Sequence, residues 1–342
     1  ASPCGATGRN KNLLGAFLSL MAATFFALNN ATTRRGVITG TVAQAMAITV
    51  PMGVPLFFIL LVAFDQLGAL TQLSWQAIWL LSFAGVLHFV WGRYCNYRAS
   101  KAIGANLQGP ASQSDIIITL ACAVWFLDEK LTPLRVLGIL LVVGGPLVTI
   151  IGDLRAAKKP PDEPSKGGFE PKYVEGYLFA VLSGTGYGLS PIIVRLALRD
   201  TGLGIGGGLA GGFVSYVAAA LFISLFAVVP GQIAHVRKLD RRTCNWFIAS
   251  GLTVMLSQMF RYLALSVAPV TVVQPIQRLS LVFRFSFSYL MNRDHEVFGP
   301  KVWISTVIAL VGALLLSIST EQVVAVVPLP EWMLEILKIE WP

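Results

Sequence analysis

Charge is scarce in this chain. Only 13% of its 342 residues are Asp, Glu, Lys or Arg, about half the share of a soluble domain. So few ions cannot cover a water-facing surface of this size, which leaves no room for a separate soluble catalytic domain. Histidine occurs three times and cysteine four times. Cys4, Cys95, Cys122 and Cys244 are scattered, with no C-x-x-C pair and no His at ligand spacing; structural thiols are the reading, not a zinc site or a disulfide framework. No Gly-rich loop runs into Lys-Ser/Thr and no G-x-S-x-G elbow occurs, so phosphate-loop and serine-nucleophile chemistry are set aside and neither enzymatic activity nor a cofactor is expected. The net charge of +9 is read as loop Lys and Arg meeting anionic lipid. Nucleic acid is excluded as a partner, because no basic run is interleaved with aromatics on a soluble module.

What the chain does have is apolar length. It is 55% hydrophobic, with a mean hydropathy of +0.69. A helix needs about 20 mostly apolar residues to cross the hydrocarbon core, and stretches of that kind fall at 13–32, 44–64, 76–97, 105–126, 133–151, 174–196, 205–229, 245–267, 271–291 and 301–320. The short alternating segments of a membrane barrel are absent. The expected fold is an all-α membrane protein of ten transmembrane helices. The sequence begins at Ala1 without Met, and the first stretch is too long, and lacks a small-residue cleavage site, for a removable signal; a native start further upstream is expected.

The ten stretches divide into two sets of five. Tyr97 falls on Tyr262, Ala99 on Ala264 and Pro110 on Pro275 at a constant offset of 165. Gly15 falls on Gly176, Thr24 on Thr185, Leu28 on Leu189 and Arg34 on Arg195 at an offset of 161. The same residues in the same order indicate an internal repeat. Five crossings per copy would make the second enter from the opposite side, an inverted repeat of the kind many secondary transporters use. The expected units are 13–151 and 174–320, a polar linker at 152–173 containing Lys158, Lys159, Pro160 and Pro161, and a tail at 321–342. Trp332 and Trp341 suit that tail to the membrane interface.

One segment carries a family likeness. "YRASKAIGANLQGPASQSDIIITLACAVWFLDEKLTPLRVLGILLVVGG" (Tyr97–Gly145) resembles the EamA domain of the drug/metabolite transporter superfamily. It has a small-residue helix end, a mid-helix Pro, an acidic turn with Glu129, then Pro133 and a Gly-rich helix. The second half repeats it as "YLALSVAPVTVVQPIQRLSLVF", with the acidic turn degenerated to "NRDHEVFGP". The resemblance implies a metabolite carrier in a cell membrane, a bacterial inner membrane first, and both termini in the cytoplasm. The Lys and Arg excess in loops after odd-numbered stretches favours the opposite orientation.

Charges inside the apolar stretches mark the candidate path. More than three residues from either end of a stretch lie Arg93, Arg261, Arg278 and Arg284, against one carboxylate, Asp115. A charge at the bilayer centre costs roughly 3 kcal/mol or more, so such groups face a bundle interior. Four cations against one anion suggest an anionic substrate, which guanidinium can clamp through two oxygens. Arg93 and Arg284 lie near stretch ends, where they could simply snorkel. Arg278 and Asp115 occupy matching depths, either as a mutually neutralising pair or with Asp115 as proton carrier. Asn29, Asn30, His88, Tyr94, Asn96, Gln108, Gln113, Tyr187, Ser190, Gln258, Tyr262, Gln274 and Gln277 add amide, phenol and imidazole groups at cavity depth. The expected substrate-binding set is Asn29, Asn30, His88, Tyr94, Gln113, Asp115, Tyr187, Gln258, Arg261, Tyr262, Gln274, Gln277 and Arg278.

Pro110 and Pro275 should break their helices beside that path, while Gly204, Gly206, Gly207, Gly208, Gly211 and Gly212 read as a tight packing face. Asp294, His295 and Glu296 read as a solvated turn. The function expected is export of a small polar or anionic metabolite such as an amino acid, driven by its own gradient or by proton exchange, with membrane lipid as surroundings. A lipid flippase and a non-transporting membrane scaffold or sensor remain open beside it.

Overall fold

In the computed structural model, residues 3–113, 115, 117–118, 121, 132–156, 170–198, 201–228, 230–267, 276–317, 330 and 332 are described. Side chains are described from Leu13 onward, helical positions such as Arg195 and Tyr262 excepted. No strand occurs among the described residues. The helices are α1 (Pro3–Thr39), α2 (Val42–Thr49), α3 (Gly53–Ala63), the short α4 (Gly68–Thr71), α5 (Trp75–Gly85) and α6 (Arg93–Ala111), with a π-helical segment (Val86–Gly92) joining the last two. They continue as α7 (Pro133–Ala156), α8 (Tyr173–Leu198), α9 (Gly204–Ala227), α10 (Gln232–Arg237), α11 (Arg241–Val267), α12 (Ser280–Asn292) and α13 (Pro300–Ser317).

Among the described residues, five stretches are long and apolar enough to cross a membrane: Leu13–Thr39, Val42–Ala63, Trp75–Ala111, Tyr173–Leu198 and Ile205–Phe226. Val136–Gly145 and Pro300–Leu316 are apolar but shorter. The expected stretches 105–126 and 271–291 lie partly outside the described residues, so ten crossings are not counted among those described. A second reason is visible in Trp75–Ala111, whose 37 residues would run about 55 Å as a straight helix, far beyond a hydrocarbon core of roughly 30 Å. It is not straight. Gly104 adopts φ 81°, ψ 166° inside α6, a conformation that favours glycine, and the helix breaks there into two arms.

Local chemistry sets several helix starts. Thr41 caps α2 in a reciprocal box with Gln44, its N–H donating to Gln44 Oε1 at 2.9 Å. Ser74 caps α5 by accepting from the Ala77 N–H at 3.1 Å. Asp240 caps α11 by accepting from the Thr243 N–H at 3.0 Å, and its bonds to Thr243 hold the carboxyl below the usual range.

Packing interlocks the two halves. α1 of the first half lies along α11 of the second, and α5, the π segment and α6 lie along α8. Exchanging the halves turns the first pairing into the second. α3 packs on α9, and α7 on α13, each position against its own counterpart. A two-fold exchange of the repeats thus leaves the packing pattern unchanged.

The main core gathers Val37, Val50, Phe57, Leu61, Leu81, Tyr216 and Phe247. Close approach is allowed by small residues: a Cβ at Gly212 would strike the Phe57 ring, and one at Gly85 the Ser215 backbone. The glycines expected to pack tightly at the start of α9 do so at Gly206, Gly211 and Gly212.

Candidate substrate path

The deepest polar cluster is one the sequence reading did not anticipate. At the Gly104 break the second arm begins with exposed amide groups, and a carboxylate from the other half meets them. Glu296 accepts from the Ala105 N–H at 2.6 Å and the Asn106 N–H at 3.0 Å. A helix N-terminus attracts negative charge through its unpaired N–H groups and dipole. Arg34, at the far end of α1, lies 3.5 Å from Glu296, with side-chain exposures of 1% and 0%. It also donates to the carbonyls of Ser100 (2.7 Å), Lys101 (2.9 Å) and His295, which include acceptors the break leaves unused. One clasp therefore ties α1, both arms of α6 and the turn after α12. Glu296 is buried, not solvated as expected; only its neighbour Asp294 is exposed. His295 is pushed below its ordinary value by burial and by Arg35 and Arg34.

Two of the four intramembrane arginines prove to be packing devices. Arg93 is buried, donating to Thr49 O (3.3 Å) and Tyr216 Oη (3.1 Å), and stacks over Phe89 and Tyr216. It fastens α2 and α9 to the start of α6 and does not snorkel. Arg284 donates to Gln108 Oε1 at 2.8 Å and to Ala105 O at 3.2 Å, bracing the arm that carries Pro110. Arg284 is buried as well.

The others occupy a different setting. Arg278 donates through Nη1 to Gln113 Oε1 at 3.1 Å and pairs with Asp115 at 3.8 Å. Arg278 and Asp115 are 24% and 23% exposed. The Nε of Arg278 and the Nε2 of Gln277 are buried with no hydrogen-bond partner among the described residues. Buried donors left without a partner call for one. Backbone at Asp115 lies against Gly188 of α8. The same helix presents Tyr187, whose ring lies 4.7 Å from that of His88, and Ser190, whose Oγ lies 2.7 Å from His88 Nδ1. Arg261 lies within electrostatic range of His88. α8 thus joins the Arg278 cluster to a second polar cluster carried on the π segment.

The expected set therefore splits. Gln113, Asp115 and Arg278 come together, with Gln277 next to Arg278 in the chain; His88 and Tyr187 come together on and against the π segment, with Arg261 in electrostatic range. Asn29 is instead a helix–helix fastening, its Oδ1 accepting from Ser250 Oγ at 2.9 Å across α1 and α11. Asn30 turns back onto Phe26 O of its own helix at 2.8 Å. Tyr94 is 40% exposed, its ring edge-on to Phe179 of α8 at 6.2 Å. Gln258 is half-buried on α11. The Tyr262 side chain, Gln274 and Pro275 lie outside the described residues.

A signal for the clasp was present: Pro300 falls on Pro133 and Glu296 on Glu129 at one offset, 167. The second acidic turn is thus not degenerate at its Glu.

The model of the EamA-like transporter family matches residues 13–151 and again 174–318. The chain belongs to the EamA-like transporter family, built as two copies of its domain. It is a multi-pass membrane protein of a transporter class, implying a small-molecule substrate and a lipid environment. Among chains of solved structure 17 match. One of these, described only as "Crystal structure of protein", is 16% identical with a TM-score of 0.52, covering 90% of this chain and 96% of that one. At that identity the likeness concerns the fold. No curated protein matches.

Proposed function

We propose that the protein is a ten-helix secondary transporter that moves a small anionic or polar metabolite, such as an amino acid, across a bacterial inner membrane. Its repeats, 13–151 and 174–320, rock about a central cavity, with 152–173 as linker and 321–342 as tail. Export is the direction set by the gradient of an accumulated solute. Arg278 is the principal anchor, with Gln113, Gln277 and Asp115 beside it and His88, Tyr187 and Arg261 lining the adjoining stretch. The observation carrying this reading is Arg278 itself, a permanently charged group at membrane depth that is partly exposed and has a donor left over. Arg34 and Arg284 also leave an Nε without a hydrogen bond among the described residues, but they and Arg93 are at most 4% exposed and are held in packing.

The test is flux of labelled small carboxylates and amino acids into proteoliposomes by the parent chain and Arg278→Gln. Loss of a charged hydrogen bond weakens substrate binding on the order of 10–100-fold, with melting temperature unchanged. Equal flux by both forms would remove the proposal.

A further inference from the structure

We propose that Asp115 and the transported anion compete for Arg278, so that each anion carried takes one proton with it. The inference rests on Arg278 being the anion site. Asp115 stands 3.8 Å from the guanidinium, and of the 17 carboxylates in the chain it alone lies more than three residues inside an apolar stretch. Arg278 already gives Nη1 to Gln113, so an arriving carboxylate must share the rest of the guanidinium with Asp115. Two effects then act on Asp115 in the same direction. The attraction of the cation is divided, and a second negative charge arrives close by. Both raise its affinity for a proton.

Linkage makes the relation reciprocal: a proton on Asp115 removes the rival anion and tightens substrate on Arg278. The proton comes from the aqueous face to which the cavity is open and leaves, with the anion, on the other. A monovalent anion and its proton cross with no net charge moved. The charged or titratable groups on the described elements meeting this stretch are few. Arg278 comes from the segment before α12, and Tyr187 neighbours Gly188 on α8. Arg284 is occupied by Gln108 and Ala105, and Arg261 lies in the field of His88.

The experiment uses the purified full chain in detergent, with lactate, glutamate and aspartate as probes and thermal stabilisation between pH 5 and 8 as readout. Apparent affinity should fall by up to about tenfold per pH unit above the titration of Asp115, and Asp115→Asn should bind tightly with no such slope. An indicator dye in weakly buffered solution should report proton uptake when probe is added to the parent chain, which keeps the test independent of how well the variant folds. Stabilisation by a probe with no pH slope and no proton uptake would overturn the coupling while leaving the anion site standing. Failure of every probe to stabilise at any pH would overturn both. Tight binding lost in Arg278→Gln, with the slope retained in Asp115→Asn, would assign the proton elsewhere and overturn the coupling through Asp115.

Discussion

Removing the Glu296 carboxylate should be among the most damaging single changes available in this chain. Glu296→Ala strands Arg34, 1% exposed, with carbonyl partners but no opposing charge, and leaves the Ala105 and Asn106 amides without their acceptor. Breaking a buried pair by deleting one partner costs about 3–5 kcal/mol. Glu296→Gln keeps an oxygen for one amide and should lose less, about 1–3 kcal/mol, the range of a charged hydrogen bond. Adding Arg34→Met to Glu296→Gln removes the stranded charge, so the double variant should lose less than the two single losses added together. Denaturant unfolding in detergent, followed by circular dichroism, measures the parent, Glu296→Ala, Glu296→Gln, Arg34→Met and the double variant. If Glu296→Ala lies within about 0.5 kcal/mol of the parent, as an ordinary surface change would, the clasp is not holding the helix break and the reasoning fails.

Three further outcomes follow from the same structure. Gly104→Ala forces a side chain into a positive-φ position and against the Glu296 carboxylate, so it should cost about 1–3 kcal/mol in unfolding experiments; a neutral result would mean that α6 runs unbroken. Arg93→Gln should lower stability by about 2–4 kcal/mol through loss of buried charged bonds and should reduce flux only in proportion to folded protein. An effect like that of Arg278→Gln, with lost transport at intact stability, would instead place Arg93 on the path. His295 has a folded value below its ordinary one, so the folded state binds fewer protons there. Stability should therefore fall as pH drops through about 6.5 and below, and His295→Asn should flatten that limb; an unchanged limb assigns it to other groups.

The sequence is most informative where the physical signal is repeated along the chain. Apolar length identified the membrane class, and the Tyr97–Tyr262 register identified the duplication, because every residue of a helix contributes to each. Individual polar residues were harder to interpret. Asn29 and Gln113 look alike in a hydropathy plot, yet one fastens α1 to α11 and the other accepts from Arg278. What separates them is which helix lies opposite, a tertiary fact. Arg34 follows the apolar stretch 13–32 and looks like a cation beyond its end, whereas α1 runs on to Thr39 and Arg34 is buried. Glu296 reads as solvated because its neighbours Asp294 and His295 make the turn look hydrated, whereas it is buried. The Gly104 break was hidden too: a glycine among small residues resembles a packing face until its dihedral is known.

The wide turn at Val86–Gly92 also acts as a phase shift. An α-helix rotates about 100° per residue, and a π turn absorbs an extra residue without continuing that rotation evenly. Arg93 and Tyr97 reach Thr49 only because this adjustment has been made upstream. Deleting any one residue between 86 and 92 would scarcely change how greasy the segment is, yet would rotate the downstream arm and aim its cation at lipid.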